Sequence, residues 1–220
     1  MLRHLAAALA GLALLAPTTA HATPAQDPGQ TITLNTRQAL AQLPVKAEDR
    51  TGYERSKFRH WVDEDGDGCS TRNEVLLAEA AMAPERSGRC TLTGGTWYSP
   101  YDSRRIDGPS GLDIDHMVPL AEAWDSGASA WSAAERQAYA NDLGDGRSLI
   151  AVSAASNRSK ADQDPATWLP PAGDWICTYV TDWITVKTRW GLAVDQAEAA
   201  AVSEALTRCD ESDITVTYAR

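Results

Sequence analysis

No stretch of this chain reaches the roughly 20 consecutive apolar residues that a bilayer-spanning helix needs. The longest apolar run, residues 5–16, covers only about a dozen positions, follows Arg3 and leads to Ala20-His21-Ala22. That is the layout of an export signal, so 1–22 reads as a leader cleaved near Ala22, and the mature chain as secreted with no membrane partner. Cys-x-x-Cys spacing is absent too, which argues against a zinc–thiolate site. The four cysteines, Cys69, Cys90, Cys177 and Cys209, all follow the leader. An even number in an exported chain favours two disulfides. Of the three connectivities, the sequence-local one, Cys69–Cys90 with Cys177–Cys209, is expected.

Excess positive charge is lacking as well. Twenty Lys and Arg against 30 Asp and Glu give a net charge of −10, and loss of the leader, which carries Arg3 and no acid, makes it −11. Such a chain has no general attraction for polyanions, which excludes a binder that relies on a broad basic face. A metal ion in an acidic site, helped by a few local Arg and Lys, remains a way to engage phosphate. One phenylalanine against eight tryptophans suggests a rigid aromatic core and says nothing about chemistry. No internal repeat or low-complexity tract is visible.

What is present divides into a mobile, Pro-rich mature N-terminus over 23–34 and one domain over 35–220. Residues 35–43 read as a short helix capped by Asn35 or Thr36, and 70–82 as a second helix with Thr71 and Glu74 spaced as a capping box. Residues 90–98 look like a hairpin turning at Gly94-Gly95. Residues 112–118 alternate as a strand, with Asp113 and Asp115 on one face and Ile114 and His116 on the other, and Pro119 stops it. A helix opened by the box Ser132-x-x-Glu135 runs over 132–143, a second strand over 149–152, and a short helix over 154–160. Two amphipathic helices, 175–190 and 195–208, are clamped together by the expected Cys177–Cys209 bridge.

Hydrolysis of a phosphodiester needs a base to deprotonate water, a divalent cation to neutralise charge, and support for the leaving oxygen. Histidine supplies a base at neutral pH, and carboxylate and amide oxygens suit magnesium, manganese or calcium. Asp113-Ile114-Asp115-His116 and, about 40 residues later, Asn157-Arg158-Ser159-Lys160 offer these parts on a strand and a helix. Only two histidines follow the leader, His60 and His116, and His60 sits in an aromatic-flanked FRHW segment that reads as structural.

The strings DIDHMVPL, from Asp113, and NRSKAD, from Asn157, resemble the two motifs of HNH nucleases. More closely, the run from DGDGC-x-TR-x-E through DIDHMVPLAEAW to SNRSK and WLPP, about Trp61 to Pro171, resembles secreted HNH proteins related to the C-terminal domain of the GmrSD restriction enzymes. The resemblance implies His116 as general base, Asp115 as metal ligand and Asn157 as the second protein ligand. It implies phosphate contacts for Arg158 and Lys160, with Asp113 supporting catalysis from the strand face of Asp115. The middle asparagine of many HNH proteins is replaced here by Ser148.

A second metal candidate lies at 63–74, which fits the EF-hand template D-x-D-x-D-G with glutamate at the twelfth position. Asp63, Asp65, Asp67, the Cys69 carbonyl, Thr71 through water and Glu74 would ligate calcium in a structural role, with Gly68 at the sharp turn. Arg72 fits either a phosphate contact or a charge at a helix start.

The sequence thus leads to a single α+β domain with a ββα-metal core, additional helices and two disulfides. Its expected activity is extracellular, metal-dependent hydrolysis of nucleic acid, mainly DNA with RNA as the alternative, with little sequence specificity and no obligate protein partner. The rival is a non-catalytic, calcium-stabilised binding protein on the same scaffold.

Overall fold

The computed structural model describes residues 27–220, so the leader and cleavage point read at 1–22 lie outside the described residues. β-Branched Thr31, Ile32 and Thr33 open β1, Thr31–Asn35, and Asn35 then caps α1, Thr36–Gln42, accepting from the Arg37 N–H at 3.0 Å. The segment expected to be mobile up to residue 34 is therefore ordered from Thr31. Next come α2, Thr71–Ala78, β2, Glu85–Ser87, β3, Thr91–Thr93, β4, Thr96–Ser99, and β5, Arg104–Asp107.

Here the structure departs from the sequence reading at three points. Residues 90–98 are not a hairpin: β3 pairs back to β2, β4 pairs forward to β5, and Gly94 and Gly95, both at positive φ, carry the chain between the two ribbons. The Thr71–Glu74 capping box does not form, because the Thr71 hydroxyl bonds inward to the Val62 carbonyl at 3.0 Å and the Asn141 side-chain oxygen at 2.9 Å. The helix also stops at Ala78, short of residue 82, because Met82 forms a bridge with Thr96.

The chain continues through β6, Leu112–His116, α3, Leu120–Asp125, α4, Ala133–Ala140, β7, Leu149–Ser153, and α5, Ala154–Lys160. The capping box expected at Ser132 and Glu135 is complete at the head of α4. Finally α6, Ile176–Trp190, and α7, Gln196–Leu206, precede β8, Asp213–Thr217, which pairs antiparallel with β1 and ties the ends of the described chain together. Both sequence-local disulfides form, Cys69–Cys90 and Cys177–Cys209.

β6 and β7 form an antiparallel pair buried on both faces, with His116 opposite Leu149 and Leu112 opposite Ser153. Leu112, Ile114, Leu149 and Ala151 belong to a small core with Val75, Leu76 and Trp97. Val152 joins a larger core built on α6, whose Tyr179, Val180, Trp183 and Ile184 are fully buried. Ser153 ends β7 and also caps α5, accepting from the Ser156 N–H at 3.0 Å, so strand and helix share one rigid joint.

On α6, burial lifts the Asp182 carboxyl from its ordinary 3.8 to about 7, although nearby Arg147 pulls it down. A raised acid favours the fold when protonated. Its contribution is full below about pH 3.8 and is lost as pH rises through about 7. Asp182→Asn is therefore expected to raise the melting temperature at pH 8 and leave it unchanged at pH 3.5. Equal effects at both pH values would contradict this.

Candidate active site

Asp115 and His116 point from opposite faces of β6, yet both border one cleft of about 330 Å³, because the strand ends at His116. Asn157 and Arg158 of α5 line the same cleft, as do Arg55 and Asp162.

The Asp115 carboxylate is buried and held at Oδ2, where the Tyr101 hydroxyl donates at 2.6 Å and the Lys160 ammonium also donates. Lys160 is completely buried, and its other protons go to the carbonyls of His116 at 2.9 Å and Met117 at 2.8 Å. All three donors are engaged, so the Lys160 ammonium does not present itself to a phosphate as the resemblance implied. The helix period explains this: Lys160 lies one turn after Asn157 on the face packed against β6, whereas Arg158 points outward with 77% of its side chain exposed. Burial raises the Asp115 carboxyl while Lys160 and Tyr101 oppose that rise, and burial likewise lowers the Lys160 ammonium.

His116 is fixed by the end of α4. The last carbonyls of a helix lack partners within it, and that of Ala140 lies 2.9 Å from His116 Nε2. A carbonyl can only accept, so Nε2 carries the proton and Nδ1 keeps its lone pair. Trp61 stacks on the imidazole at 5.3 Å, and Tyr139 lies near-parallel at 6.4 Å. Burial, joined by the positive field of Arg55, pushes the imidazole down to about 3, so it is neutral at pH 7. His60 bonds the Phe58 carbonyl at 2.9 Å through Nδ1, and its ring lies 6.5 Å from that of His116.

Asp113 is half-buried beside α5. Asn157 donates from Nδ2 to its Oδ2 at 3.3 Å, and Arg158 Nε lies 3.7 Å away. That bond orients the Asn157 amide, whose carbonyl oxygen has no partner among the described residues. Arg72 donates to the carbonyls of Leu112 at 3.0 Å and Pro109 at 3.3 Å, bracing the start of β6 rather than the cleft. Ser148, the position of the absent asparagine, is buried and donates to Asp142 at 2.7 Å.

Sequence reasoning missed Tyr101, Trp61, Arg55 and the Ala140 carbonyl. They arrive from the 55–61 stretch, the loop between β4 and β5 and the end of α4, and no local spacing marks them.

In the 63–74 loop, the carboxylates of Asp63, Asp65 and Asp67 are exposed and offer oxygens within 4.8 Å of one another. The Gly68 N–H donates to Asp63 at 3.1 Å and the Cys69 N–H to Asp67 at 2.7 Å. Gly68 sits at φ 93°, and a side chain there would meet the Arg89 carbonyl at 2.7 Å. Burial raises the Glu74 carboxyl, and the charges of Asp65, Asp67 and Asp63 add to that rise, so all four acids share one electrostatic neighbourhood. Thr71 is buried with its hydroxyl bonded inward, which removes it from the ligand set the EF-hand template suggested.

Comparison with known proteins follows the same lines. The family described as GmrSD restriction endonucleases, C-terminal domain, matches residues 71–205. An Arthroderma benhamiae protein described as an uncharacterized secreted protein is 41% identical over 202 residues, covering 90% of this chain and 98% of its own length. No solved structure matches the chain.

Proposed function

Because the chain belongs to the family of GmrSD restriction endonuclease C-terminal domains, we propose that it is an HNH-type, metal-dependent endonuclease that hydrolyses DNA outside the cell with little sequence preference. RNA is the alternative substrate. The observation that carries this reading is the convergence of Asp115, His116 and Asn157, from β6 and α5, on one cleft, with Nδ1 of His116 unengaged among the described residues.

The donor set fits a hard cation. Both hydrogen bonds to Asp115 fall on Oδ2, so among the described residues Oδ1 and the Asn157 side-chain carbonyl oxygen have no partner. These two atoms would hold magnesium or manganese, with calcium as the alternative. When bound, the cation would neutralise charge on the phosphate and favour departure of the 3′ oxygen, leaving a 5′ phosphate. His116 takes the proton of the attacking water at Nδ1. Asp113 orients the Asn157 amide, and Arg158 contacts phosphate. Lys160 and Tyr101 act through Asp115, holding its carboxylate in place. An export signal and a relative described as secreted support an extracellular setting.

Plasmid nicking with magnesium, manganese or calcium against an EDTA control tests the activity. Cation-dependent nicking is expected. Its absence under all three cations would favour the rival reading, a non-catalytic binding protein on the same scaffold.

For the 63–74 loop the proposal is a structural calcium site held by Asp63, Asp65, Asp67, the Cys69 carbonyl and Glu74. The carboxylate cluster and the Glu74 shift support it. Calcium at about 100 times its Kd would stabilise the fold by about 2.7 kcal/mol, which at this size is a rise of about 5–10 °C in melting temperature. Asp65→Asn should remove most of that response. An equal melting temperature in calcium and EDTA would rule the site out.

A further inference from the structure

A chain of net charge −10 that acts on a polyanion needs positive charge where the strand lies. Residues 50–59 hold Arg50, Arg55, Lys57 and Arg59 with Glu54 as the one acid. Two of these cations hold the segment in place. Arg50 bonds Asp125 at 2.6 Å and approaches Asp162 at 3.9 Å. Lys57 donates to the Gly52 carbonyl at 2.6 Å and sits over the Trp124 ring at 5.0 Å. Phe58, fully buried, and Tyr53 add ring contacts to Trp124 at 6.3 and 6.1 Å.

Arg55 opens the single-turn 3-10 helix Arg55–Lys57 on this braced segment. It is exposed, forms no ion pair among the described residues, and borders the cleft together with Asp115 and His116. Its charge is felt at both side chains. A guanidinium held in position beside the reacting groups, with no carboxylate partner, is suited to bidentate contact with a phosphate.

We infer that Arg55 is a phosphate-binding residue of this site, contacting the nucleic-acid backbone next to the bond that is cut. The inference rests on the nuclease reading of the cleft. It adds a second cation, more than 100 residues from Arg158 in sequence, so that the substrate backbone is held from two separate segments. Both contacts are to phosphate rather than to base edges.

The test is binding of a fluorescein-labelled DNA duplex by the chain carrying His116→Ala, titrated at several salt concentrations with magnesium held constant. Adding Arg55→Ala should weaken binding about tenfold near 0.1 M salt and lower the slope of log affinity against log salt by about 0.9. Arg55→Lys should retain the slope, and Arg104→Ala on β5 should bind like the parent. Unchanged affinity and slope in the Arg55→Ala protein would overturn the role of Arg55 while leaving the nuclease reading intact. Failure of the parent to bind duplex DNA at any salt would overturn the DNA-nuclease reading, and this inference with it.

Discussion

Replacing His116 by alanine is expected to lower cation-dependent DNA cleavage by about 10²–10⁴-fold, the usual contribution of a positioned general base. The described residues offer one other imidazole, His60, and its Nδ1 is engaged by the Phe58 carbonyl. The substitution also has a structural cost. It empties a slot between Trp61 and Tyr139 and frees the Ala140 carbonyl, losses worth about 2–4 kcal/mol together. Activity should therefore be compared well below the melting transition of the variant. Two further readouts separate a lost base from a loosened fold. His116→Asn fills part of the slot yet has no basic nitrogen, so it should be as inactive as the alanine variant. Added imidazole fits the vacated slot and should restore part of the alanine variant's rate. Cleavage by His116→Ala at the parent rate, in a folded protein, would remove His116 from the mechanism.

The second large effect concerns stability. Lys160→Met should destabilise the fold by about 3–5 kcal/mol, because it leaves the Asp115 carboxylate buried without its cation. It also frees the carbonyls of His116 and Met117, both bonded by the same ammonium. The methionine stem fills nearly the same volume, so the loss reports polar contacts rather than a cavity. Adding Asp115→Asn removes the unpaired charge and should recover much of the loss, giving a strong coupling in a double-mutant cycle. Urea unfolding measures all four proteins. A Lys160→Met variant within about 0.5 kcal/mol of the parent would show that the lysine is dispensable to the fold.

These two residues also show where sequence legibility ends. Helix caps are local, so Asn35 at α1 and the Ser132–Glu135 box of α4 were readable within a few positions. The α5 boundaries were readable too, because a short strand and then about two turns of polar helix follow one another in sequence. Both disulfides join cysteines fewer than 35 residues apart, and the sequence-local pairing matched them. Pairings that need a distant partner were not readable. β1 finds β8 some 180 residues on, and no alternation in 31–35 names that partner. The false hairpin at 90–98 arose because two glycines between β-formers suit a hairpin turn, whereas each flanking strand had a competing neighbour.

At the candidate site, the strand-and-helix pattern indicated which side chains belong together, and the cleft does gather Asp115, His116, Asn157 and Arg158. It did not separate a lysine that reaches outward from one that is buried. Helical spacing held that information, since Asn157 and Lys160 are one turn apart and Arg158 is not on their face. Tyr101, which holds the same carboxylate from the loop between β4 and β5, left no signal in its local sequence.

On the proposed mechanism, Asp115 and Asn157 hold a divalent cation within reach of His116. A manganese-soaked crystal, examined by anomalous scattering, tests it directly. A peak is expected in the cleft within about 2.5 Å of an Asp115 oxygen and the Asn157 carbonyl oxygen, alongside any occupancy of the 63–74 loop. Density at the loop alone, with the cleft empty at saturating manganese, would contradict it.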